Sequence, residues 1–78
     1  MLTLQFITAD TKQEIIDINA VKLHLASGVV KILPHHAPMI ATVEPGTMYL
    51  TRNDGIKTYD IASRGLLKVS CDVVTVVS

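Results

Sequence analysis

Met48-Tyr49-Leu50-Thr51-Arg52-Asn53-Asp54-Gly55-Ile56-Lys57-Thr58-Tyr59-Asp60-Ile61 reads as two alternating segments joined by a tight turn. Asp-Gly between alternating apolar residues is a strong short-range hairpin signal, because glycine supplies the positive φ that such turns require. A two-residue Asp54-Gly55 turn pairs Leu50 with Tyr59 and Met48 with Ile61, placing all four on one face. It also pairs Thr51 with Thr58, a favourable cross-strand partnership. A three-residue loop would set Leu50 against Thr58 and Met48 against Asp60, mixing polar with apolar. The two-residue turn is therefore expected, with Arg52 opposite Lys57 beside a solvated tip.

The same period of two continues on both sides. Leu2 to Thr8 carries Leu2, Leu4 and Phe6 on one face, and polar Ala9 to Lys12 then reads as a turn. An extended stretch, Glu14 to Ile18, leads to Ala20 to Ala26, where Val21, Leu23 and Leu25 alternate with Lys22, His24 and Ala26. Such alternation marks a strand with one buried face. Ser27-Gly28 breaks it and Val29 to Leu33 resumes it. Pro34 and Pro38 make Leu33 to Pro38 a stiff irregular loop. Met39 to Val43 follows, and Pro45-Gly46 fits the middle of a type II turn. Ser63-Arg64-Gly65 turns the chain into Leu66 to Ser70, and Cys71-Asp72 into Val73 to Val77, which is apolar on both faces apart from Thr75. No segment sustains a 3.6-residue apolar period. The expected fold is all-β, a small β-sandwich of about eight to ten short, mostly antiparallel strands forming one domain, residues 1–78.

Composition agrees. Val, Ile and Leu supply 25 of the 78 residues and Thr another 8, while tryptophan is absent. Such β-branched wealth suits pleated, half-buried strands. An apolar fraction of 49% is high for a chain with so little interior, so some of it is available to face a partner. Seven basic residues balance seven acidic ones, which leaves no electrostatic footprint for nucleic acid or anionic lipid. The longest apolar runs are too short to span a bilayer. The amino terminus shows no secretory pattern, and a lone Cys71 fits a reducing, cytosol-facing location.

The residues that could carry chemistry are scattered. His35 and His36 are neighbours that point in opposite directions on an extended chain, and His24 lies in a predicted strand, so the three do not form a metal-ligand set. Cys71, Ser63 and Ser70 lack a neighbouring base, and no carboxylate pair is marked by spacing as an acid and base couple. The glycines occur singly, so no phosphate-cradling loop is formed. No catalytic residue, metal or cofactor is expected. A prosthetic-group carrier of this size would present a lysine at a hairpin tip. Here the tip is Asp54-Gly55, with Lys57 inside the following strand. A carrier or generic binding module is the alternative reading.

Leu33-Pro34-His35-His36-Ala37-Pro38, then Pro45-Gly46, then Ser63-Arg64-Gly65-Leu66-Leu67-Lys68-Val69 resemble the epsilon-subunit family of F-type ATP synthases, whose mitochondrial counterpart is called delta. That family carries Pro-Gly-His-Ala-Pro followed by two apolar residues, a Pro-Gly turn, and a later Ser-Gly-Gly-aliphatic-Leu-Glu-Val stretch. The opening Leu4 to Ala9 is also similar, so the resemblance covers the whole chain. Family glycines are replaced by Lys31, His35 and Arg64, which puts the local backbone there in question. The resemblance implies a non-catalytic rotor subunit that couples the gamma subunit to the c-ring of a proton- or sodium-translocating enzyme, peripheral on the cytoplasmic face of the inner membrane. By the same resemblance Thr8, His36 and Ala41 face gamma, and the loop Ala26, Ser27, Gly28, Val29 and Val30 faces the ring. An acidic residue is common in the family where Val29 stands, so that contact is expected to be apolar. Family members commonly continue into two carboxy-terminal helices that inhibit rotation. No inhibitory arm and no nucleotide site are expected within these residues.

Overall fold

One long strand organises the molecule. In the computed structural model, which describes residues 1–78, Lys12–Leu25 runs unbroken as β2, flanked by β1 (Leu2–Ile7) and β3 (Gly28–Ile32). The remaining strands are β4 (Met39–Val43), β5 (Gly46–Arg52), β6 (Gly55–Ile61), β7 (Gly65–Ser70) and β8 (Val73–Val77), and no helix is present. The two extended stretches expected on either side of Asn19 are thus one strand with a kink. Asp17 takes φ 58°, a left-handed conformation that aspartate tolerates better than most residues. The register shifts between Ile18 and Ala20. A bulge of this kind bends a strand and raises its twist. Before the kink β2 pairs with β1, and after it with β5 and β3.

That bend lets β2 serve both layers. The first comprises β4, β7, β8, β1 and the start of β2. The second comprises β3, the end of β2, β5 and β6. Leu25 meets Val43 of β4 at the other corner, so the layers are joined on both sides as a closed sandwich. All pairings are antiparallel except β1 with β8. Between the layers lies one core cluster of 16 buried residues, among them Leu2, Leu4, Ile18, Leu23, Met48, Leu50, Leu67 and Val74. Burying one such side chain contributes roughly 1.5–3 kcal/mol. The Phe6 and Tyr59 rings meet edge to face, with centroids 6.2 Å apart, where the layers cross.

The central hairpin corrects the expected register. Its loop is Asn53-Asp54, with Arg52 across from Gly55, Leu50 across from Lys57 and Met48 across from Tyr59. The slip is two residues, so every side chain keeps its face: Met48, Leu50 and Ile61 are buried as expected. Two forces favour the observed pairing. Arg52 now faces Gly55 rather than Lys57, which removes a like-charge opposition. Asn19 also donates from Nδ2 to Asn53 Oδ1 at 2.9 Å, pinning the loop to the β2 kink. Gly55, at φ 129°, stands just after the two-residue loop rather than inside it. Ala26-Ser27-Gly28 repeats this arrangement, with Gly28 at φ 127°. At Glu44-Pro45 the chain bends directly into β5 without a hydrogen-bonded turn, so the expected Pro45-Gly46 turn does not form, and Gly46, at φ 150°, is already the first residue of that strand.

Candidate docking surface

The outer face of the first layer is unusually apolar. Period-two alternation along β7 turns Leu67 and Val69 inward, which sends Leu66 and Lys68 outward. Pairing then places Thr42, Leu66, Val77 and Ile7 in one row across β4, β7, β8 and β1. Ile40, Lys68, Thr75 and Gln5 form the next row. Ile40 is 76% exposed, Leu66 58% and Val77 44%, and across these four strands Lys68 is the only charge in the two rows. A solvated sheet face is normally polar, so contiguous aliphatic groups here mark a surface that is stabilised by being covered. A shallow depression of about 380 Å³ at its end lies between Pro38–Ile40 and Lys68–Ser70.

That end is built from two strained turns locked together. The Leu33 carbonyl accepts the His36 N–H at 3.2 Å, and His35 takes φ 65°, so Pro34 and His35 occupy the centre of a type II turn. Cys71 and Asp72, at φ 50° and 61°, carry the φ signature of a type I′ turn without any glycine. Each such residue costs on the order of 1 kcal/mol in this conformation. The Asp72 carboxylate accepts the His35 N–H at 2.6 Å and lies 3.7 Å from His35 Nδ1. Its backbone carbonyl accepts the Thr3 N–H at 2.9 Å. Asp72 thus holds both turns and the start of β1. Asp72→Ala is expected to lower the stability of the chain by about 1–3 kcal/mol, read from the urea midpoint; an unchanged midpoint would contradict this role.

The replaced glycines now have distinct accounts. His35 adopts the positive φ itself, braced by Asp72. Lys31 sits in regular β3 and needs no glycine. Arg64 places its Nε 3.2 Å from Glu44 Oε2 at the surface, an exposed contact that contributes little.

The residues singled out from the sequence do not converge on one spot. Thr8 follows β1 at the end where Ser78 N–H donates to the Ile7 carbonyl. There its hydroxyl lies 2.7 Å from that of Thr11. His36 precedes β4 at the opposite end of the same layer, half-buried, its Nδ1 2.6 Å from the Ala37 carbonyl. Ala41 lies between them but packs against the core. All three therefore belong to one layer, with only Thr8 and His36 at its surface. Ala26 and Ser27 form the tip of the β2–β3 hairpin, tied to β4 by the Ala26 N–H donating to the Thr42 carbonyl at 3.1 Å. Gly28 and Val29 are exposed beside it, and Val30 packs on the core. Lys57 lies within β6, away from the tip. Ile40, Leu66 and Val77 escaped the sequence reading, although adjacent Leu66-Leu67 and the doubly apolar Val73–Val77 carried the signal.

Comparison with known proteins agrees with this architecture. The family described as ATP synthase, Delta/Epsilon chain, beta-sandwich domain matches residues 1–78. The ATP synthase epsilon chain of Bordetella petrii is 32% identical over 80 residues, covering 100% of this chain and 57% of that one. That of Nitrosococcus oceani is 41% identical over 51 residues, covering 65% of this chain and 36% of its own length. The chain thus spans roughly a third to a little over half of these relatives. Among solved structures, a chain of the Euglena gracilis mitochondrial ATP synthase superposes with a TM-score of 0.84 at 19% identity, covering 99% of this chain and 49% of that chain. A chain of the Tetrahymena thermophila mitochondrial ATP synthase, from its central stalk and c-ring, gives 0.76 at 10% identity, covering 99% and 63%. At such identities the superpositions speak for the fold, while the family match over the full length decides membership: this chain belongs to the ATP synthase delta/epsilon β-sandwich family.

Proposed function

We propose that residues 1–78 act as one non-catalytic docking module of an F-type ATP synthase rotor, with the outer face of β4, β7, β8 and β1 seated on the gamma subunit. The observation that carries this reading is the patch of exposed aliphatic side chains Ile40, Leu66 and Val77, spread over two adjacent rows of the layer bordered by Thr8 and His36. A torque-bearing joint needs a surface that is formed before contact, because ordering it during association would cost binding energy. A closed sandwich with a single core supplies that rigidity.

In the same reading the Ala26–Val30 hairpin reaches the c-ring. Val29, 56% exposed, makes that contact apolar rather than ionic. The module then lies peripherally on the cytoplasmic face of the coupling membrane and holds no nucleotide or metal of its own. The test is titration of the chain with purified gamma subunit. Saturable, stoichiometric binding is the expected result. Absence of binding at concentrations where both proteins are folded refutes the assignment.

A further inference from the structure

The second layer turns a different face outward. Its central row runs Lys31 on β3, Lys22 on β2, Tyr49 on β5 and Thr58 on β6, and the next row includes Ala20, Thr51 and Ile56. Lys22 and Lys31 are directly opposed in register, which brings like charges within about 5 Å at Cβ and destabilises the sheet. Neither lysine has a carboxylate partner, since the only ion pairs are His35 with Asp72 and Arg64 with Glu44. The Lys22 ammonium lies 5.9 Å from the centroid of the exposed Tyr49 ring. A shallow groove of about 350 Å³ runs here, lined by Ala20, Lys22, Lys31, Tyr49, Thr51 and Ile56. Ile56 is 66% exposed. The carboxylate on this face, Asp60, accepts from Thr47 at 3.4 Å, two strands and one row from Lys22 and so roughly 12 Å away.

We infer that this groove seats an extended acidic segment of a partner protein, with a carboxylate bridging Lys22 and Lys31 and an apolar side chain resting on Tyr49 and Ile56. Charge complementarity selects this occupant. Two opposed ammonium groups are left uncompensated in the free chain, and an interposed carboxylate converts their repulsion into two charge-assisted contacts. An anionic membrane is a poorer fit. Only two lysines would face it, each contributing about 1 kcal/mol, with Asp60 on the same face opposing them. The surface lies on the layer opposite the proposed gamma seat and stands independently of it.

The experiment follows backbone amide shifts of the 78-residue chain during titration with a short glutamate-rich peptide containing one leucine. Shifts centred on Lys22, Lys31, Tyr49, Thr51 and Ile56 are expected, and they weaken as salt rises. Lys31→Glu is expected to bind about tenfold more weakly, a coupling of about 1.4 kcal/mol. It should also unfold at higher urea than the parent, because a repelling pair becomes an attracting one. Lys31→Gln moves binding in the same direction by less, and Lys68→Glu leaves it unchanged. The inference is overturned by shifts spread evenly over Lys12, Lys57 and Lys68, or by equal losses in Lys31→Glu and Lys68→Glu. It is equally overturned if inorganic phosphate reproduces the shifts at the same concentration, or if phosphatidylserine vesicles capture the chain while the peptide does not.

Discussion

Gly65→Ala is expected to prevent the chain from holding its native fold, although it adds a single methyl group. A Cβ at Gly65 would overlap the Val77 carbonyl oxygen and stand 2.9 Å from the Ser78 Cα. Both are backbone atoms, so no rotamer change relieves the clash. The end of β8 is moreover fixed from two sides: Ser78 donates its N–H to the Ile7 carbonyl at 2.9 Å and its hydroxyl to the Ser63 carbonyl at 2.8 Å. Retreat would break these bonds and pull Val76 from the core. Overpacking of this kind costs roughly 1–3 kcal/mol even where neighbours can yield, and a small domain holds only about 5 kcal/mol in reserve. Gly28→Ala supplies the control, since its Cβ meets nothing within 4 Å while φ is 127°. It should lose only the backbone strain, on the order of 1–3 kcal/mol. Urea unfolding of both variants separates close approach from strain; a Gly65→Ala midpoint near that of the parent would contradict the geometry.

Ile40→Asp combined with Leu66→Asp is expected to weaken gamma binding at least about thirtyfold while leaving the fold intact. Both side chains point to solvent, so the free chain loses little by the exchange. In a complex each would be buried, and a fully covered Leu or Ile contributes about 1.5–3 kcal/mol. Discounted for the portion already covered in the free domain, the pair supplies roughly 2–4 kcal/mol, and two carboxylates placed in the seam add a desolvation penalty. Affinity should therefore fall at least about thirtyfold. Calorimetric titration with gamma, beside urea curves of the free variant, reads both halves. Unchanged affinity in a folded variant would move the contact elsewhere.

How much of this was legible in the residues depends on what fixes each feature. Strand positions and faces followed from period two. Leu2, Leu4, Phe6, Val21, Leu23, Leu25, Met48 and Leu50 are buried as their alternation required. The hairpin register was not legible, because a slip of two preserves every face. Besides the relief of the Arg52–Lys57 opposition, what favours it is the loop's contact with Asn19, 34 residues away in the chain. The parallel β1–β8 pairing is likewise a long-range event that no local pattern encodes. The backbone at His35 was left in question by the resemblance, and only the structure shows that histidine takes the positive φ of the family glycine, with its N–H held by Asp72. The apolar face lay half in view: Val73–Val77 was seen to be apolar on both sides, yet only pairing brings Val77 beside Leu66.

Methyl-resolved NMR of the chain on addition of unlabelled gamma subunit tests the docking face most directly. Broadening or shifts of the Ile40, Leu66 and Val77 methyl groups, with Ile56 and Leu33 unaffected, is the result expected here. Perturbation confined to Ile56 and Val29, with Ile40 and Leu66 unchanged at saturation, would place gamma on the other layer and contradict the account.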